Sequence, residues 1–255
     1  MIPRLISSLQ HPLVKRLVKL RDNRSFRTQE NSVLIVGVTL VSDVAARLPL
    51  KTLISVDPLP FNAKESYLAP PNVLEKIINI SSHDLVAAEV ELPRPSSLEK
   101  MKTIVVLDAL SDPGNVGTIL RTAVALGWDG AFLTPKTADP FNDKAMRAAR
   151  GAPLFLPLRQ GSYEELAKLV SLNGMTVYVA DIEGKNLTET SFKKPLALVL
   201  GHETQGPSPE TKALGMAVSI PMTNQMESLN VASAAAIIMF DILASLKRGN
   251  SYGVQ

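Results

Sequence analysis

TIVVLDALSDPGNVGTILRTAVALGWDGAFLT, residues 103–134, decides the fold. Thr103–Asp108 is a short apolar run that reads as a buried strand, and Gly130–Thr134 reads as a second one. Between them Val116, Ile119, Leu120 and Ala123 fall on one helical stripe. Asp112 suits an N-cap, Pro113 a first helical turn, and Gly127 the residue that ends the helix. Strand, loop, helix and strand in this order make a parallel βαβ unit. Asn115, Thr118 and Arg121 lie off the apolar stripe and face solvent or substrate. A well-capped structural helix, with Arg121 as a surface ion-pair partner, is the plainer reading. Gly114 and Gly117 are not a dinucleotide fingerprint, because the third glycine is missing.

The alternation continues outward. Leu154–Leu158, Thr176–Ala180, Leu196–Leu200 and Val218–Ile220 read as further strands, and Asp143–Arg150, Tyr163–Leu172 and a last helix from Val231 read as helices. Continuous apolar strands separated by helices predict a parallel sheet covered on both faces. Ligands of such sheets bind at the C-terminal ends of the strands. Two loops there stand out. In Leu198–Ser208, Gly201 and Gly206 bracket Glu203, which suits a tight loop whose backbone approaches a ligand. His202 reads as a loop residue rather than a ligand or base. Further on, Ile220–Pro221–Met222 precedes Ser228–Leu229–Asn230, which opens a run to Leu246 whose only charge is Asp241. That run reads as a buried helix packed partly against another subunit. Ser228 and Asn230 offer side-chain hydrogen bonds at its start, where a simple N-cap is the alternative.

The composition narrows the function. The chain has 255 residues, is 45% hydrophobic and 20% charged, and contains no cysteine, so disulfides, thiolate metal sites and a Cys nucleophile are excluded. Its three histidines, His11, His83 and His202, are scattered, and no metal centre is expected. No membrane span is expected, since the C-terminal run is rich in Ala and Ser. No secretory signal is visible. A cytoplasmic location is expected, or an organelle matrix or stroma if a targeting segment was removed.

Glu91–Lys100, with two prolines and two serines, reads as a linker. It divides residues 1–92, a small α/β domain, from residues 102–255, with 93–101 as the connection. In the first part Val33–Val36, Thr52–Val56 and Ile77–Ile80 read as strands, and Leu13–Arg21, Leu40–Leu48 and Ser82–Glu89 as helices. The net charge is only +3, but residues 1–30 carry Arg4, Lys15, Arg16, Lys19, Arg21, Arg24 and Arg27 against Asp22 and Glu30. Such a basic helix suits a phosphate backbone, and a solvated helix face is the alternative.

The three loops, in this order and spacing, resemble the SpoU-type (TrmH-type) RNA ribose methyltransferases of the SPOUT superfamily. Asn115, Gly117 and Arg121 match the first motif. Gly201, Glu203 and Gly206 match the second, and Ile220, Pro221, Met222, Ser228, Leu229 and Asn230 the third. The resemblance covers roughly residues 103–248. Pro140–Phe141, Arg147 and Gly151–Ala152 fit a family segment between the first two motifs, and the N-terminal part looks like the family's small RNA-binding domain. Thr204, Pro207 and Ala149 depart from the usual small residue, Leu and Ser, which bears on cofactor-loop or substrate contacts. Val36–Gly37 replaces a common Glu–Gly, which bears on substrate identity.

The resemblance implies an α/β fold with a parallel sheet and a C-terminal trefoil knot, a homodimer, and S-adenosyl-L-methionine as cofactor. It implies methyl transfer to a ribose 2′-hydroxyl of tRNA or rRNA, without a metal. It places Arg121, Asn115, Glu203, Ser228 and Asn230 in catalysis. It assigns Leu200, Gly201, Gly206, Ile220, Met222, Ser228 and Leu229 to the cofactor. Lys15, Arg16, Lys19, Arg24 and Arg147 are the expected RNA contacts. Arg121 serves either as the base or as a cation stabilising the developing alkoxide, since a guanidinium ordinarily stays protonated. A non-catalytic RNA-binding protein assisting ribosome assembly is the rival reading that Thr204 and Pro207 leave open. Methylation of a base rather than a ribose is a third.

Overall fold

The computed structural model describes residues 3–79, 85–223 and 228–251. The chain forms two compact units, one holding the residues up to Arg94 together with Asp139–Leu154, the other holding Pro95–Ala138 and the residues from Phe155 onward.

In the first unit the order is β1 (Arg4–Leu5), α1 (Pro12–Asp22), α2 (Arg24–Glu30), β2 (Ser32–Val36), α3 (Val38–Ala45), β3 (Leu50–Ser55), β4 (Ala63–Leu68), α4 (Pro71–Ile78) and β5 (Val86–Glu91). The strands make a mixed sheet in the order β1-β4-β3-β5-β2. Val14, Leu17 and Leu20 of α1 recur at helical spacing and bury in one cluster with Val73, Leu74 and Ile77 of α4. Two expectations are corrected here. Ile77 and Ile78 close α4 instead of opening a strand, because Pro71 starts a helical stripe that Asn79 stops in the left-handed conformation at φ 58°. Ile80 and residues 82–84 lie outside the described residues. Val86–Glu91 is a strand, not the end of a helix, and it sits between β3 and β2. Glu89 disguises it: a carboxylate 2% exposed is tolerated there because Arg16 binds both its oxygens at 2.8 Å.

The second unit begins with β6 (Thr103–Leu107), α5 (Pro113–Ala125) and β7 (Gly130–Leu133). After β7 the helix α6 (Asp143–Ala149) returns to the first unit. The second unit resumes with β8 (Leu158–Gln160), α7 (Tyr163–Leu172), β9 (Thr176–Asn186), β10 (Leu196–Leu200), α8 (Pro209–Lys212), β11 (Met216–Ser219) and α9 (Val231–Ser251). Its sheet runs β11-β9-β10-β6-β7-β8, with every pair parallel. Residues 154–158 are not one strand. Ala152–Leu154 form a 3-10 turn, and pairing starts at Leu158, because Pro153 and Pro157 lack the N–H a ladder needs.

The central strands β6 and β10 are buried along their whole length. Alternation sends Val105 and Leu107 to one face, where they pack with α5 and α9, and Ile104 and Val106 to the other, with Leu166 and Leu169 of α7. Burying each such aliphatic side chain contributes about 1.5–3 kcal/mol. The result is a rigid floor with the strand ends Leu107, Leu200 and Ser219 feeding the three loops singled out above.

Candidate functional site

The first loop leaves β6 and enters α5 through a complete cap. Asp112 accepts from the Asn115 backbone N–H at 2.9 Å, and Pro113 occupies the first turn. Gly201, at the end of β10, has no room for a side chain: a Cβ there would stand 2.1 Å from the Pro207 nitrogen. The loop between them therefore folds back tightly on the strand end, and Gly206 completes it at φ +70°. His202 pairs with Gly206 as an isolated bridge, and its Nδ1 accepts from the Thr204 N–H at 3.2 Å. The third segment enters α9 through Asn230, whose Oδ1 accepts from the Ala232 N–H at 2.9 Å.

Glu203 ties these loops together. Its Oε1 accepts from the Asp112 N–H and from the Asn115 side-chain amide, each at 3.1 Å, and its Oε2 accepts from the Ser111 N–H and hydroxyl at 3.3 Å. The Asn115 carbonyl oxygen in turn accepts from the Asn230 side-chain amide at 3.1 Å. A chain Glu203–Asn115–Asn230 thus spans all three motifs. Asn230 caps its helix with its side-chain oxygen and donates to Asn115 from its side-chain nitrogen. Burial raises the Glu203 carboxyl, but the Asn115 amide and the backbone donors outweigh it and hold the group below its ordinary value.

Beside this chain lies a cavity of about 480 Å3. It is within the range of about 300–1,000 Å3 usual for small-molecule sites. Leu200, Gly201, Gly206, Ile220, Met222, Ser228 and Leu229, the seven residues assigned to the cofactor from sequence, all line it. Val231, Ala234 and Ile238 of α9 line it as well. Glu203 and Ser228 also reach it, whereas Asn115 and Asn230 stand just behind Glu203. Thr204 and Pro207 belong to its wall, with Pro207 buried under Gly201 and Thr204 exposed. Sequence reasoning missed the segment Ala180–Glu183 and Lys212, whose Nζ pairs with Asp181 at 2.7 Å. The available signal was position, since Asp181 directly follows the apolar core of a strand in a parallel sheet.

Arg121 is not in this cavity. It is exposed on α5 and has no hydrogen bond or ion pair among the described residues, so neither Asn115 nor Glu203 orients it within one chain. The five expected RNA contacts, Lys15, Arg16, Lys19, Arg24 and Arg147, all fall in the first unit. Lys15 and Lys19 are exposed one turn apart on α1, with Lys19 4.2 Å from the centre of the Phe26 ring. Arg16 is already engaged by Glu89 and by Glu30 at 2.8 Å, which raises its pKa, and Arg147 pairs with Asp143 at 2.9 Å. Among the described residues no three His, Asp or Glu gather as metal ligands, and no helix is long and apolar enough to cross a membrane.

A parallel sheet covered on both faces, with a cavity lined by the second and third loops at its strand ends, makes a small-ligand site. Residues 102–240 match the SpoU rRNA methylase family, and the chain belongs to that family. It is an RNA methyltransferase. It is 32% identical over 253 residues to an uncharacterized tRNA/rRNA methyltransferase of Synechocystis sp., covering 92% of each chain. It is 29% identical to the 23S rRNA (guanosine(2553)-2′-O)-methyltransferase of Bacillus subtilis, covering 93% of this chain and 98% of that one. The fold matches the AdoMet-bound rRNA methyltransferase of Sinorhizobium meliloti with a TM-score of 0.83 at 26% identity, over 95% and 98% of the two chains. It matches the SpoU methyltransferase AviRb of Streptomyces viridochromogenes in complex with AdoMet with a TM-score of 0.81 at 26% identity, over 96% and 100%.

Proposed function

We propose that this protein transfers a methyl group from S-adenosyl-L-methionine to a ribose 2′-hydroxyl of tRNA or rRNA. The observation that carries this reading is that the second and third motifs line one cavity and the first is tied to it through the Glu203–Asn115–Asn230 chain. The donor set fits the cofactor. Backbone groups at Gly201 and Ile220 suit the edges of an adenine, and Leu200, Ile220, Met222 and Leu229 offer an apolar wall for its faces. Bound there, S-adenosyl-L-methionine supplies an electrophilic methyl carbon.

The protein's own residues then hold the acceptor and manage the proton. A ribose hydroxyl is a weak nucleophile at neutral pH, so a base or a placed cation must assist its deprotonation. Glu203 is held ionised by its donors and fixes Asn115 and the start of α5. Ser228, at the cavity rim, is a hydroxyl available to the acceptor ribose or the cofactor. Arg121 acts either as the base that takes the proton of the acceptor hydroxyl or as a cation that stabilises the developing alkoxide.

The position of Arg121 supports a homodimer. Val124 shares its exposed stripe on α5, and Ile237 and Phe240 are exposed at 43% and 64% on α9, which packs on α5. A second copy covering these residues gives Arg121 a site it lacks in one chain. A C-terminal trefoil knot belongs to the same reading and rests on membership of the SpoU family. Lys15, Lys19 and Arg24 in the first unit supply phosphate contacts to the RNA. Transfer of labelled methyl groups to a panel of tRNA and rRNA, followed by nucleoside analysis, tests the reading. A 2′-O-methyl nucleoside is expected; a base-methylated product overturns the ribose assignment.

A further inference from the structure

Asp108 belongs to none of the groups assigned above, yet it is a buried carboxylate of the second unit that accepts as many hydrogen bonds as Glu203. It is 1% exposed at the end of β6 and has no cationic partner among the described residues. Instead it accepts four hydrogen bonds from neutral donors. The Ser208 N–H and the Thr211 hydroxyl reach one oxygen at 2.8 and 2.7 Å. The Tyr163 and Thr134 hydroxyls reach the other at 2.9 and 3.1 Å. A buried carboxylate is tolerated only when its oxygens are satisfied in this way.

The donors identify the role. Ser208 and Thr211 follow the loop Gly201–Pro207, which lines the cavity, whereas Asp108 itself does not touch the cavity. The Asp108 N–H donates to the Leu200 oxygen at 2.9 Å, just before that loop begins. Asp108 therefore grips both ends of the loop, and Glu203 ties its middle to Ser111 and Asp112. The chain next to Asp108 is strained to allow this. Ala109 adopts φ 55°, a left-handed conformation costly for a residue with a Cβ, with its N–H donating to Thr134 Oγ1 at 2.9 Å.

We infer that Asp108 is a positioning residue for the cofactor: its buried carboxylate clamps the Gly201–Pro207 loop in the shape that the adenine side of the ligand requires. The inference rests on the proposed cofactor and deepens it. Asp108→Ala leaves four donors without their acceptor, so cofactor Kd is expected to rise about 10- to 100-fold. Asp108→Asn is expected to stay within a few-fold of wild type, because the Tyr163 and Thr134 hydroxyls can turn to accept from the two N–H groups of the new amide while its oxygen keeps the Ser208 N–H and the Thr211 hydroxyl. Thr211→Val removes one donor partner and serves where Asp108→Ala does not fold; about a three- to tenfold rise is expected.

The experiment is calorimetric titration of S-adenosyl-L-methionine into each full-length variant, with kcat at saturating cofactor and amide hydrogen exchange of the ligand-free proteins. The clamp raises Kd and KM for the cofactor while kcat stays within about threefold, and it speeds exchange in residues 201–208 selectively. Unchanged Kd in folded Asp108→Ala or Thr211→Val overturns the inference. So does exchange that rises uniformly through the second unit. If wild type itself does not bind the cofactor, the proposed function fails, and selective exchange in the loop still decides whether the clamp exists.

Discussion

Replacing Glu203 by alanine removes the acceptor at which the first two motifs meet. Of its four hydrogen bonds, the two from exposed Ser111, at 3.3 Å, compete with water and contribute little. The two at 3.1 Å, from the Asp112 N–H and the Asn115 amide, are partly buried. Hydrogen bonds to a charged acceptor contribute about 1.5–3 kcal/mol each, and partial exposure puts these two near the lower end. The pair therefore amounts to about 3 kcal/mol, or roughly a 100-fold loss in kcat/KM. Asn115 would lose its link to the cavity while keeping Asn230, so the deficit is local. Glu203→Gln retains an oxygen for Asp112 and Asn115 and should lose less, about 10-fold. Single-turnover methyl transfer with saturating RNA reads both variants. Wild-type kcat/KM in folded Glu203→Ala would refute the reasoning.

Arg121→Ala should lower turnover by at least about 100-fold while cofactor affinity, measured by calorimetry, stays near wild type; equal loss of both would remove Arg121 from the chemistry. Glu203 has a folded pKa below its unfolded value of roughly 4.3, so its contribution to loop order is complete above that value and disappears as pH falls through the folded pKa. Cofactor affinity should accordingly be flat through neutral pH and fall only in acid, below the ordinary carboxylate range; a midpoint between about 6 and 7 would contradict the assignment. The double variant Lys15→Ala, Lys19→Ala should weaken RNA binding and flatten its salt dependence by roughly 1.4–1.8 in log–log slope, with cofactor affinity unchanged. An unchanged slope would show that this face of α1 does not meet phosphate.

Much of the second unit is legible because each local signal agrees with the next. The strand Thr103–Leu107, the Asp112 cap, Pro113 and the end of α5 near Gly127 follow from chemistry within a few residues. The seven cavity residues come from the second and third motifs, whose meeting point no local pattern reveals; the parallel sheet brings the strand ends together. Ser111 and Lys212 carry no such mark, because their roles come from partners about 90 and 30 residues away in sequence. The first unit shows where local reading fails. β5 reads as helix because Ala87 and Ala88 favour one and Glu89 breaks the apolar run, and only the distant Arg16 makes that carboxylate acceptable in a sheet. β4 (AKESYL) lacks an apolar run, being flanked on one side by the two-residue β1. Arg16, which reads as a phosphate contact, is engaged by the same pair.

The central claim is ribose methylation at the cavity beside the Glu203–Asn115–Asn230 chain. Its most direct test is mapping 2′-O-methylation across the tRNA and rRNA of cells with and without the gene, and of cells carrying Asn115→Ala. The account predicts that specific 2′-O-methyl marks disappear on deletion, fail to return with Asn115→Ala, and are restored in vitro by the purified protein with S-adenosyl-L-methionine. An unchanged ribose-methylation map, or a lost mark that proves to be on a base, would contradict it.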